Sequence, residues 1–181
     1  MFLAGDRLIE AHNRITDPGS ATPSVGAGIL LQAGSANVFA HNTIRRSDDA
    51  GIRVAPIAAF PMGGTISNRF DANVVRDAGA DGIAIGPPPE DGSFSDTVLT
   101  RNIVIAATAD GIDVEAPSTT LARNLAFRNA DLGIEAVPEV IDGGGNTAFR
   151  NGNPAQCVGV LCRDRAGAKR RADAGGPHSA R

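Results

Sequence analysis

Apolar and polar positions alternate along this chain in short pieces, and the pieces recur. Gly-Ile pairs stand at Gly28-Ile29, Gly51-Ile52, Gly82-Ile83, Gly111-Ile112 and Gly133-Ile134, with Leu31, Val54, Ile85, Val114 and Ala136 two residues beyond the Ile. Asparagines stand at Asn13, Asn42, Asn73, Asn102, Asn124 and Asn146, followed two residues later by Ile15, Ile44, Val75, Val104, Ala126 and Ala148. Short alternating segments rich in Val and Ile predict strands rather than helices. Four of the Asn residues lie nine residues before the next such Gly, and the shortest full copy is 22 residues. Residues 55–67 and 86–96 are insertions in two consecutive copies.

A unit of that length cannot bury its own apolar side. Stacked copies can, because each coil then pairs its backbone with the coils above and below at about 4.8 Å. The five isoleucines become one aliphatic column, and the asparagines become an inward ladder, each amide bonding to neighbouring coils. The Gly before each Ile is expected at a sharp bend with positive φ. The predicted fold is all-β: a parallel β-helix solenoid of about six coils over residues 1–162, with 163–181 a disordered basic tail.

The pattern N-x-[IVA]…G-I-x-[VIL], repeated over roughly residues 7 to 162, resembles the right-handed parallel β-helix family, the pectate-lyase-like solenoids. The closing stretch VIDGGGNTAFRNGNPAQCVGVLC is similar to the C-terminal end of uncharacterised bacterial secreted repeat proteins. The resemblance implies a right-handed coil. In the family's lyases an Arg or Lys base works beside carboxylates that bind Ca²⁺.

Charge changes the picture at the tail. From Arg163 onward the chain carries a net +4, and the remainder carries −7. An acidic body argues against nucleic acid, whose phosphates need clustered cations. No apolar run approaches the roughly 20 residues of a membrane span. Cys157 and Cys162 are the only cysteines, and a structural disulfide closing the last turn is the expected arrangement; redox use is the alternative. A disulfide implies a secreted or cell-envelope protein. The chain starts mid-coil, so upstream coils of a longer parent chain are expected.

The residues just after each Ile (Leu30, Arg53, Ala84, Asp113 and Glu135) form a predicted outward row, with Glu115 farther along the same face. Asp113 and Glu135 one coil apart would match the carboxylate spacing of retaining glycosidases, or offer oxygen ligands to Ca²⁺. Arg53 is the candidate base. The plainer reading is that outward residues on a solenoid must be polar. Asp81 and Asp110 are expected to be turn residues bonding their own backbone, with a second acidic ledge as the alternative. His12, His41, Ala72, Arg101 and Arg123 precede ladder asparagines and read as a generic exposed row, the two histidines stacked. The chain has no Trp or Tyr, which weighs against sugar stacking and leaves Phe60 and Phe94, in the insertions, as candidates. The expected function is a non-catalytic module that acts as a scaffold or weakly binds a polysaccharide or cell surface. The alternative is a polysaccharide lyase or glycoside hydrolase completed by upstream coils.

Overall fold

The structure is a computed structural model describing residues 1–19, 26–55, 67–87 and 96–163. Each coil contributes three short strands. The first coil is β1 (Phe2–Ala4), β2 (Ile9–Ala11) and β3 (Arg14–Thr16), and the second is β4 (Ile29–Ala33), β5 (Val38–Ala40) and β6 (Thr43–Arg45). The third is β7 (Ile52–Val54), β8 (Arg69–Asp71) and β9 (Val74–Arg76), and the fourth is β10 (Ile83–Ile85), β11 (Val98–Thr100) and β12 (Ile103–Ile105). The fifth is β13 (Ile112–Val114), β14 (Thr120–Ala122) and β15 (Leu125–Phe127). The sixth is β16 (Ile134–Ala136), β17 (Ile141–Gly144) and β18 (Asn146–Phe149), after which β19 (Cys162–Arg163) closes the chain.

Every third strand joins the same sheet. This gives three parallel sheets: A from β1 to β16, B from β2 to β17, and C from β3 to β19. The chain is a parallel β-helix of about six coils, and its connections are consistent with the right-handed sense that parallel crossovers take. Register is kept through the stack: Ile29, Ile52, Ile83, Ile112 and Ile134 pair in succession and are fully buried. Each fully buried Ile contributes about 1.5–3 kcal/mol over an exposed one. Phe39, Phe70, Leu99 and Leu121 form a second inward column on sheet B, the two rings stacked with centroids 4.9 Å apart.

The asparagine ladder runs along the B-to-C corner. Asn42 Nδ2 donates to Asn73 Oδ1 at 3.0 Å, Asn73 to Asn102 at 3.1 Å, Asn102 to Asn124 at 3.1 Å and Asn124 to Asn146 at 3.2 Å. The second hydrogen of each amide goes to a carbonyl one coil back, as in Asn102 Nδ2 to Phe70 O at 2.9 Å. Each Oδ1 also accepts the backbone N–H of the preceding rung, as in Asn73 N to Asn102 Oδ1 at 3.0 Å. These buried amides therefore use both hydrogens and both lone pairs. Asn13, in the first coil, is only half-buried; its backbone N–H donates to Asn42 Oδ1 and its amide to Glu10 Oε2.

The glycines depart from expectation. None of Gly28, Gly51, Gly82, Gly111 and Gly133 has positive φ; among the described residues most positive-φ positions are non-glycine, including His12, His41, Ala72, Arg101 and Arg123 before ladder asparagines. What the glycines supply is space. A Cβ on Gly82 would lie 2.0 Å from Val104 Cγ1 and 2.6 Å from Gly111 O, and one on Gly51 would lie 2.2 Å from Val75 Cγ1. Sheet C side chains cross the narrow interior and end against these backbones.

Candidate functional site

The outward row of sheet A follows the expected order. Leu30 pairs with Arg53, Arg53 with Ala84, Ala84 with Asp113, and Asp113 with Glu135. Leu30 and Ala84 are only 4% exposed despite facing outward, while Glu135 and Glu115 are exposed and Asp113 is half-buried. Arg53 is two coils from Asp113, with Ala84 on the coil between them. Its guanidinium is held by Asp49 in a two-pronged pair, Nε to Oδ2 at 2.9 Å and Nη2 to Oδ1 at 2.6 Å. The row brings Asp113 and Glu135 together as neighbours and leaves Arg53 in a separate ion pair.

The electrostatics around Asp113 come from packing. Its carboxyl loses water to the surrounding structure and faces Asp81, Glu115, Asp110 and Glu135, and together these push its pKa up to about 7. Burial likewise raises Asp110, to about 6, against the backbone N–H of Leu132 that stabilises its charge. Asp81 and Asp110 do not bond their own turns. Asp81 Oδ1 accepts Asp110 N at 3.1 Å and Asp110 Oδ1 accepts Leu132 N at 2.6 Å, so the side chains tie successive coils together. Among the described residues no three His, Cys, Asp or Glu side chains converge to hold a metal ion, so the Ca²⁺ reading is left with the neighbouring carboxylates alone.

His12 and His41 stack with ring centroids 5.1 Å apart. Phe60 and Phe94 lie outside the described residues. Phe127 and Phe149, on the outward side of sheet C, are a second aromatic pair, parallel and 5.1 Å apart. Each ring turns one face to the other, and the Arg128 guanidinium carbon lies 6.0 Å from the Phe127 centroid.

Several site-forming residues escape the repeat reading. Asn37 and Asn68 start a second ladder, Asn37 N donating to Asn68 Oδ1 at 3.0 Å. Asn129, Asn151 and Gln156 make a third, each amide or backbone donating to the next at 2.9–3.1 Å. The available signal is a constant offset: Asn37 and Asn68 stand five residues before Asn42 and Asn73, and Asn129 and Asn151 five after Asn124 and Asn146. On sheet B, Arg69, Thr100, Arg101, Ala122, Arg123 and Gly143 line an open cavity of about 220 Å³. Asp71 lies beside it, nearly buried, binding Arg101 through Nε at 2.9 Å and through Nη2, Thr100 Oγ1 at 2.7 Å and Arg69 Nη2 at 3.4 Å. Burial pushes the Asp71 carboxyl up, but the donors from Arg101, Thr100 and Arg69 outweigh it and hold the pKa at about 2.

Cys157 and Cys162 form a disulfide, which is compatible with an extracellular location. Among the described residues no helix is long and apolar enough to cross a membrane. The fold and its repeat define the class: a ladder-stabilised parallel β-helix. Comparison with protein-family models, with curated proteins and with solved structures returned no match.

Proposed function

We propose that this chain is a non-catalytic β-helix module of a secreted or cell-envelope bacterial protein, related to the pectate-lyase-like solenoids, and that it serves as a scaffold or weak glycan or surface binder. The observation that carries the reading is the fate of Arg53. The one candidate base in the outward row is committed to Asp49 and sits two coils from Asp113 and three from Glu135, the carboxylates it would have to serve. An Arg locked in a two-pronged carboxylate pair is a poor proton acceptor.

One observation favours a second reading. Asp113, held protonated up to about pH 7, beside an exposed Glu135 gives unequal carboxyls one coil apart, the relation a retaining glycoside hydrolase uses for its acid and its nucleophile. The two readings separate in one experiment. The chain is applied to a glycan array and, in parallel, incubated with a panel of polysaccharides while reducing ends and unsaturated uronides are measured. Retention without release is the expected result. Release that disappears in both Asp113→Ala and Glu135→Ala, with melting temperatures unchanged, would replace the module by the hydrolase or lyase.

A further inference from the structure

We infer that the groove on sheet B between Arg69, Thr100, Arg101 and Arg123 is a binding site for a tetrahedral oxyanion of the phosphate or sulfate type. This goes beyond the module reading and holds whether or not the solenoid turns over a substrate.

The site is assembled by the repeat. Arg101 and Arg123 occupy the same left-handed corner position in consecutive coils, with φ of 57° and 58°. Arg69 comes from the coil before, at the start of β8. Three arginines thus line one cavity of about 220 Å³. That volume admits an oxyanion and part of whatever carries it.

Asp71 gives the cluster its order. It is 6% exposed, stays ionised, and takes donors from Arg101, Arg69 and Thr100 at once. Arg101 spends Nε and Nη2 on it, so the Nη1 hydrogens remain for a ligand. Arg69 spends only Nη2. Arg123 forms no salt bridge with any described residue and keeps its whole donor fork. In the stack its corner neighbour is Gly145, and a Cβ there would lie 3.1 Å from Arg123 Cγ, so the Arg123 stem lies along the Gly145 backbone. Among the described residues at the groove, one buried carboxylate stands against three arginines, an excess of about two positive charges. Planar guanidinium forks held in place match tetrahedral oxyanions better than lysines would. The acids of sheet A belong to another face, so they do not neutralise this one.

The test uses the full chain and two probes. Inorganic sulfate and phosphate are titrated against the wild type by NMR, and dextran sulfate, with neutral dextran as control, is titrated by calorimetry. Arg123→Gln is the primary variant, because an exposed corner side chain can be changed without touching the core. Arg123→Lys keeps the charge but loses the fork. Arg150→Gln is the control: it changes an exposed arginine with the same φ of 58°, at a different corner and outside the groove. Saturable oxyanion binding is expected, weakened about ten-fold by Arg123→Gln, weakened less by Arg123→Lys, and unchanged in Arg150→Gln. Inorganic anions binding as tightly as the polymer per sulfate would identify a free ion as the ligand. Dextran sulfate binding about ten-fold tighter per sulfate would identify an ester on a polymer. No saturable binding of either probe, or equal weakening by Arg123→Gln and Arg150→Gln, overturns the inference, since net charge alone would then explain the result.

Discussion

Asp113 and Asp71 show how the same side chain is driven in opposite directions by its surroundings. Asp113 loses water and gains only like-charged neighbours, whereas Asp71 is surrounded by donors. The two therefore contribute to stability in opposite pH windows. The Asp113 carboxyl rises from 3.8 to about 7 on folding, so its contribution is complete below pH 3.8 and is lost as pH rises through about 7. Asp110, raised to about 6, acts in the same sense. Asp71 is depressed to about 2, so its contribution is present above 3.8 and is lost as pH falls through about 2. Asp113→Asn removes a charge that folding disfavours. It should raise the melting temperature at pH 8 and leave it nearly unchanged at pH 4, as thermal melts of both proteins across that range will report. An equal gain at both pH values would mean that the amide improves packing and that Asp113 carries no strained charge.

At the scale of the element, the narrow interior dictates which residues face each other. Each Gly before an Ile stands opposite the side chain two residues after the ladder Asn of its own coil: Gly28 opposite Ile44, Gly51 opposite Val75, Gly82 opposite Val104, Gly111 opposite Ala126 and Gly133 opposite Ala148. Gly82→Ala should destabilise by at least the ~1–3 kcal/mol of core overpacking, because its Cβ would meet Gly111 O as well as Val104. Chemical denaturation measures this, and Val104→Ala in the same chain should restore only part of the loss. Full restoration would show that the backbone oxygen yields. The repeat told us where these glycines fall but not why, because spacing reveals which positions share a column and says nothing of the distance across the coil. The main ladder was legible because six asparagines mark one phase. The second ladder was not, because it gives way to Thr97 and Thr119, whose hydroxyls are buried and make no hydrogen bond among the described residues. The arginine groove was half legible. Arg101 and Arg123 stood in one exposed row, but Arg69 and Asp71 sit at other repeat phases and join them only through long side chains.

The molecule as a whole is a rod whose sides and ends differ. Among the described residues the exposed large hydrophobics lie at the ends: Met1, Phe2 and Ile9 in the first coil, and Ile141, Val158 and Leu161 in the sixth and the closing loop. Carboxylates flank the Phe39–Leu121 column at both ends, with Glu10 pairing with Phe39 and Asp142 with Leu121. At the C-terminal end two of the three ladders are terminated: Asp142 Oδ1 takes the amide of Asn146 and Gln156 takes that of Asn151, while β19 pairs with β18. The Cys157–Cys162 disulfide holds these substitutes for a seventh rung in place. A stack in which each coil touches only its neighbours loses stability locally, from the end that is loosened. Replacing both cysteines by Ser releases a short loop, and chain entropy alone sets the cost at about 2 kcal/mol. That loss should appear as fraying. Hydrogen exchange should quicken at Ile134–Ala136 and Asn146–Phe149, while Val74–Arg76 and Ile103–Ile105, held by coils on both sides, keep their protection. A uniform acceleration through all the coils would instead make the rod one cooperative unit, with the disulfide acting on the whole stack rather than on its last turn.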